Sequence, residues 1–294
     1  MTTIASRPPL AAIAAFVVLV ILVGTNIVAI RFTNRELAPL WNAGLRFAVA
    51  AVLFSLLAAV LRPGWPSARV VWGSILYGLL AFAGFFAFVY IGLVQATAAL
   101  GQTVLALGPL ITLLLASSLG MESVHRRAVA GSALALVGIA IAFGAQEHLD
   151  VPLMSLGALA AGATSFAIAG IVAKRLPPAD PVLQNAIGTA VGAIVLLTLS
   201  RIAGEPWVLP RSIETWLWFA YLVIPGTVLI FLLFLSLLHR LPATVVSYQF
   251  VLAPIVSITL GVLLLGEPIG PGIVVGAALV AAAVYLGALA SGPR

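Results

Sequence analysis

The sequence predicts an all-α, polytopic membrane protein of about ten transmembrane helices, arranged as two inverted five-helix repeats. Three observations predict it. Of 294 residues, 63% are hydrophobic and 7% charged, with a mean hydropathy of +1.23, so the polar residues cannot cover a water-soluble surface. The apolar runs are each close to the roughly 20 residues that cross a hydrocarbon core of about 30 Å. A pattern also returns at a constant offset of 145 residues: Pro109, Glu122 and Gly131 match Pro254, Glu267 and Gly276.

The first run, 10–30, ends before Arg31; it is too long for a signal-peptide core and many spans follow, so it reads as a retained helix. The second, 37–61, lies between Glu36 and Arg62. The third and fourth, 70–92 and 96–118, share a stretch without formal charge, divided only around Gln95 and Thr97. Eight or nine spans result if that division is misplaced. The fifth, 127–145, follows Arg126, the sixth, 152–173, lies between Asp150 and Lys174, and the seventh, 181–200, between Asp180 and Arg201. The eighth, 213–237, stops before His239 and Arg240; the ninth, 242–265, stops before Glu267; the tenth is 269–290. Fainter matches extend the duplication: Val28-Ala29 ahead of Arg31 parallels Val172-Ala173 ahead of Arg175, and Pro39 with Asn42-Ala43 parallels Pro181 with Asn185-Ala186. The halves are 1–147 and 148–294.

Basic residues orient the chain. With a cytoplasmic N-terminus, Arg7, Arg62, Arg69, Arg126, Arg127, Lys174, Arg175, Arg240 and Arg294 fall inside, and Arg31, Arg35, Arg201 and Arg211 outside. The excess puts both termini in the cytoplasm, and the inner (plasma) membrane is the expected location of such a multi-span helical protein. Five spans per half is an odd number, so Glu122 and Glu267 end their helices on opposite faces.

Composition also excludes. There are no cysteines, hence no disulfide or thiolate metal site, and no metal or cofactor is expected. The pI near 10.5 suggests nucleic acid, but the basic residues stand singly at helix ends. Asp150 and Asp180 are the only aspartates, and Ser236 with His239 lacks an acidic partner, which argues against an enzyme. Channels commonly repeat a filter around an oligomeric axis, whereas an internal inverted pair suits a carrier. The expected partners are a small-molecule substrate and the bilayer. Oligomeric state stays open, since Gly188-xxx-Gly192 and Gly272-xxx-Gly276 permit close helix contacts within or between chains.

Arg46-Phe47 in span two, the run from Ala96 through Pro109 to Glu122, and Leu265-Gly266-Glu267 with Gly276 after Pro254 resemble the drug/metabolite transporter superfamily, and within it the EamA-type exporters. The likeness covers nearly the whole chain as two EamA-like halves. It implies a ten-helix inverted-repeat carrier with a central cavity, with exporters of amino acids and related metabolites as nearest functional neighbours. Sugar-phosphate carriers of the superfamily are similar in plan but use lysines in these helices, and their absence here argues against phosphorylated substrates. Small multidrug-resistance relatives use a membrane-embedded glutamate. No Asp or Glu lies well inside a span here, which points to a facilitator or exchanger; a proton-coupled multidrug carrier is the alternative.

The candidate site residues are the polar groups within the spans. Arg46 is the only formal charge well inside one, roughly 13 Å from its outer end, where a charge costs about 2.5–3.5 kcal/mol. It either binds a substrate carboxylate or packs against carbonyls as scaffold, and Asn42, at i−4, is placed to hydrogen-bond it. Pro109 and Pro254 free carbonyls in mid-helix and mark spans four and nine as cavity walls and gating kinks, or as packing kinks. Gln102 and Thr103 before the first proline, and Ser247, Tyr248 and Gln249 before the second, offer neutral donors and acceptors for a zwitterion, or for bonds between helices. Asn26, Thr164 and Ser165 line a route or hold helices together. Tyr77 and Tyr90 either stack on substrate or pack in the core with Phe82 and Phe86, and Trp41, Trp207 and Trp216 are interfacial anchors. The walls are expected from spans one, three, four, six, eight and nine.

Overall fold

A computed structural model describes residues 10–64, 66–119, 126–144, 151–175, 180–240, 246 and 249–289. Those residues form ten helical spans and no strand. They are α1 (Leu10–Thr33), α2 (Pro39–Leu61), α3 (Ala68–Gly92), α4 (Ala98–Leu105 and Gly108–Ser118), α5 (Arg126–Gly144), α6 (Leu153–Arg175), α7 (Pro181–Ile202), α8 (Ile213–Arg240 in three pieces), α9 (Gln249–Leu265) and α10 (Pro271–Leu289). Seven are long and apolar enough to cross a membrane; α5, α9 and α10 contain shorter apolar helices. This is a polytopic membrane fold.

Helix starts follow ordinary capping chemistry. Pro39 and Pro181 open α2 and α7, and the Asp180 carboxylate accepts the N–H groups of Val182 and Leu183 at 2.9 and 3.1 Å. Thr97 caps α4 and Ser212 caps α8. Glutamates serve the same end of the bundle. Glu205 accepts the N–H groups of Leu40 and Trp41, and Glu36 accepts from the Arg211 N–H at 2.7 Å and the Ser212 hydroxyl at 2.6 Å. The Ser212 hydroxyl, then the Arg211 amide, pull the Glu36 pKa down to about 2.

Two spans carry an irregularity that hydropathy does not show. In α3 the turn Leu79–Gly84 is π-helical, and in α8 so is Ile224–Leu229, which begins with Ile224-Pro225. They lie 145 residues apart, the offset of the sequence repeat. The two prolines behave differently. Pro109 stands in the first turn of a new helix after α4 breaks at residues 106–107, whereas Pro254 sits inside a continuous α9.

Packing joins the two halves pairwise. α2 lies along α7, and α5 along α10; α1 packs on α9 and α8 as α6 packs on α4 and α3. Each contact becomes the other on shifting the chain by five helices. Glycines permit the closest approaches: a Cβ on Gly78 would meet the Gly188 backbone at 2.8 Å, and one on Gly276 would meet the Gly138 carbonyl at 2.5 Å. Gly188, Gly192 and Gly276 are therefore engaged within the chain. Phe47, Phe82, Phe86 and Phe231 form the buried aromatic centre, while Trp41 stacks on Trp207 at 4.6 Å. An apolar groove between α3 and α6, lined by the exposed Phe88, Ile91, Leu153 and Met154, includes none of the polar candidates.

Candidate functional site

The π turn of α8 organises one polar cluster. A π turn displaces the regular ladder, so the Gly226 carbonyl turns to neighbouring helices. It accepts from Arg46 Nη2 at 2.7 Å and from Asn26 Nδ2 at 2.8 Å. Arg46 is fully buried. Its Nε donates to Thr227 Oγ1 at 2.8 Å and its Nη1 to Tyr90 Oη at 3.1 Å, while its Cζ lies 4.8 Å from the Phe86 ring centre. The guanidinium thus brackets α2, α3 and α8, with aromatic faces supplying further stabilisation. The expected Asn42–Arg46 bond is absent. Asn42 Nδ2 donates instead to Thr33 Oγ1 at 2.7 Å and Asn34 Oδ1 at 3.1 Å, because the tight turn out of α1 brings those groups to the start of α2.

The corresponding π turn of α3 is held from α6. Ser165 Oγ donates to the Leu80 carbonyl at 2.8 Å, whereas Thr164 Oγ1 bonds its own helix at Ala160. Here Phe82 occupies the position matched to Thr227, and Gly188 and Gly192 of α7 make room for its ring. The π turn of α8 is thus held by the Arg46 guanidinium, whereas the π turn of α3 carries a phenylalanine packed on glycines.

A second set of polar side chains is buried without a protein partner among the described residues. It comprises the Tyr77 hydroxyl, both amide atoms of Gln102, both of Asn185, and Gln249 Oε1. Each unsatisfied group costs about 1–3 kcal/mol, so native folds retain few of them without a use. Gln102 lies on α4 ahead of its break, where Pro109 has no N–H to offer the Leu105 carbonyl, and Gln249 opens the described part of α9, which packs on α4. Tyr77 lies next to Gly78, at the α3–α7 crossing, and Asn185 one turn before Gly188. Asn185 was not among the expected site residues, although its pairing with Asn42 in the repeat was the available signal. Ser247 and Tyr248 lie outside the described residues. No cluster of three potential metal ligands occurs among the described residues.

A multi-span helical bundle with matched halves, discontinuous helices and neutral polar groups buried between them is the build of a membrane transporter. The EamA-like transporter family model matches residues 10–144 and again 153–288, and the chain belongs to that family. A Salmonella typhimurium protein described as a probable amino-acid metabolite efflux pump is 28% identical over 280 residues, 91% of each chain. The uncharacterized inner membrane transporter YedA of Escherichia coli is 28% identical over 257 residues, 86% of this chain and 82% of that one. A solved crystal structure shares the fold with a TM-score of 0.67 over 96% of this chain and 97% of its own, at 19% identity.

Proposed function

We propose that this transporter exports small metabolites, with amino acids the foremost class, by alternating access between the halves 1–147 and 148–294. The observation that carries this reading is the pair of buried, partly unpartnered glutamine amides, Gln102 on α4 and Gln249 on α9, contributed by opposite halves to packed helices. Amides donate and accept, so they suit both ends of a zwitterion, and Tyr77, Tyr248 and Asn185 add neutral polar groups to the same substrate class. Arg46, Tyr90, Asn26, Asn42, Thr164 and Ser165 hold the walls, and Pro109 and Pro254 shape the two helices that bend. The Salmonella relative's description supports amino-acid efflux. The protein sits in the inner membrane with both termini cytoplasmic, and runs as a facilitator or exchanger.

Counterflow in proteoliposomes, loaded with amino acids, nucleosides or organic cations, tests this reading. Amino-acid counterflow is expected without a pH gradient, and Gln102→Ala should change the order of preference among amino acids. Transport of lipophilic cations alone would favour drug efflux, and accumulation driven by a pH gradient would favour proton coupling.

A further inference from the structure

The end of the bundle where α1 and α9 finish and α4 begins is tied by one carboxylate. Gly266, in the left-handed region at φ +64°, ends α9 and turns the chain so that Glu267 points back over the helix. Both Glu267 oxygens accept the N–H of Ala98, the first residue of α4, at 2.9 and 3.1 Å. Its Oε1 also accepts from Arg31 Nε, in the last turn of α1, at 3.1 Å. Arg31 Nη1 donates in turn to the carbonyls of Leu93 and Val94 beyond α3, at 3.0 and 3.1 Å. Glu267 is only 8% exposed, and Gly261 is kept small beside it: a Cβ there would meet Oε2 at 2.9 Å. One residue of the second half thus holds α1, the end of α3 and α4 of the first. Packing agrees with closure. All eight residues of Ala98–Leu105 are buried, whereas in Gly108–Ser118 only Leu110 is fully buried among the described side chains.

We propose that Glu267, Arg31 and the Ala98 amide form a three-part latch that holds this face of the transporter shut, and that its release is the step by which the face opens. The inference rests on the alternating-access reading above. The carboxylate satisfies a helix-terminal N–H and the positive end of the α4 dipole as well as a guanidinium, so its grip has two independent components. An ion pair alone would survive exchange of the two charges. This latch would not, because Arg at 267 can accept nothing from Ala98 and repels the helix start.

The chain has no cysteine, so one introduced thiol reports alone. Val104→Cys places it in the buried part of α4, at an apolar residue with no accessible surface that is not one of the polar site candidates. Labelling with a membrane-impermeant maleimide from the Glu267 face is then measured in vesicles. E267Q keeps an oxygen acceptor for Ala98 but loses the charge, and E267A loses both. The labelling rate is expected to rise in the order parent, E267Q, E267A, by about tenfold in all, an ordinary size for a conformational coupling. R31Q should match E267Q, and the exchange R31E with E267R should label fast. Each variant is first shown to be monodisperse and folded in detergent. Parental labelling rates in E267A and R31Q, with amino-acid counterflow intact, would overturn the latch and leave the carrier standing. Slow labelling in the charge exchange would overturn the Ala98 component. Absence of counterflow in the parent would remove the carrier reading itself and the latch with it.

Discussion

At the residue scale, Arg46 shows what can and cannot be read from a sequence. That it must face protein or water followed from the cost of a charge at that depth. Its partners could not be read, because Tyr90 and Gly226 lie 44 and 180 positions away and meet it only through tertiary packing. The i−4 spacing of Asn42 correctly put it on a shared stretch of helix, but its amide nitrogen is turned to Thr33 and Asn34 across the turn, and its Oδ1, the one atom able to accept from Arg46, has no partner among the described residues. In this arrangement the guanidinium makes hydrogen bonds to three protein acceptors, so its removal should be a stability effect. Arg46→Met should lower stability by about 1–3 kcal/mol, because the buried Thr227 and Tyr90 oxygens lose a charged donor. Arg46→Lys should recover little, since an ammonium cannot span the Gly226 carbonyl and two hydroxyls in a planar fork. Thermal unfolding in detergent measures both, and counterflow KM in the folded fraction should stay at the parental value. A large rise in KM for Arg46→Lys without loss of stability would place the guanidinium on the substrate instead.

At the element scale, the spans were legible because membrane insertion is governed by summed hydropathy, which tolerates any local pattern. The π turns of α3 and α8 were not, since one extra residue in a helical turn changes neither composition nor length enough to notice. Pro109 and Pro254 carried equal signals and gave a break and a continuous helix. Close helix pairs give the sharpest contrast for experiment. A Cβ at Gly276 would press on the Gly138 carbonyl and on Ala142 at 2.6 Å, so Gly276→Ala must separate α5 from α10 and should cost about 1–3 kcal/mol. Gly157, in α6, has open space where its Cβ would go. Gly157→Ala should therefore gain the helix preference of alanine, about 0.5–1 kcal/mol. Paired thermal unfolding curves of the two variants should move in opposite directions.

At the scale of the whole molecule, duplication was the most legible feature, because two matched triplets at one offset survive divergence that erases most other likeness. The latch could not be read, since Arg31 and Glu267 were assigned to helix ends without anything to bring them together. What the duplication implies physically is opposite orientation: the α2–α3 loop and the α7–α8 loop are separated by five helices, and an odd number of crossings changes sides. Gly64 and Leu209 mark these loops, 145 positions apart and both exposed. Glu122, matched to Glu267 by the same offset, lies outside the described residues and serves less well as a probe. Single cysteines at Gly64 and Leu209 should react with an impermeant maleimide from opposite faces of the membrane, Gly64 from the cytoplasm and Leu209 from outside. The assignment of Gly64 to the cytoplasm depends on the basic residues and is a separate matter from the inversion. If the two sites exchange faces, the orientation is reversed and the inverted repeat stands; if both react from one face, an even number of helices crosses between them and alternating access between inverted halves loses its structural basis.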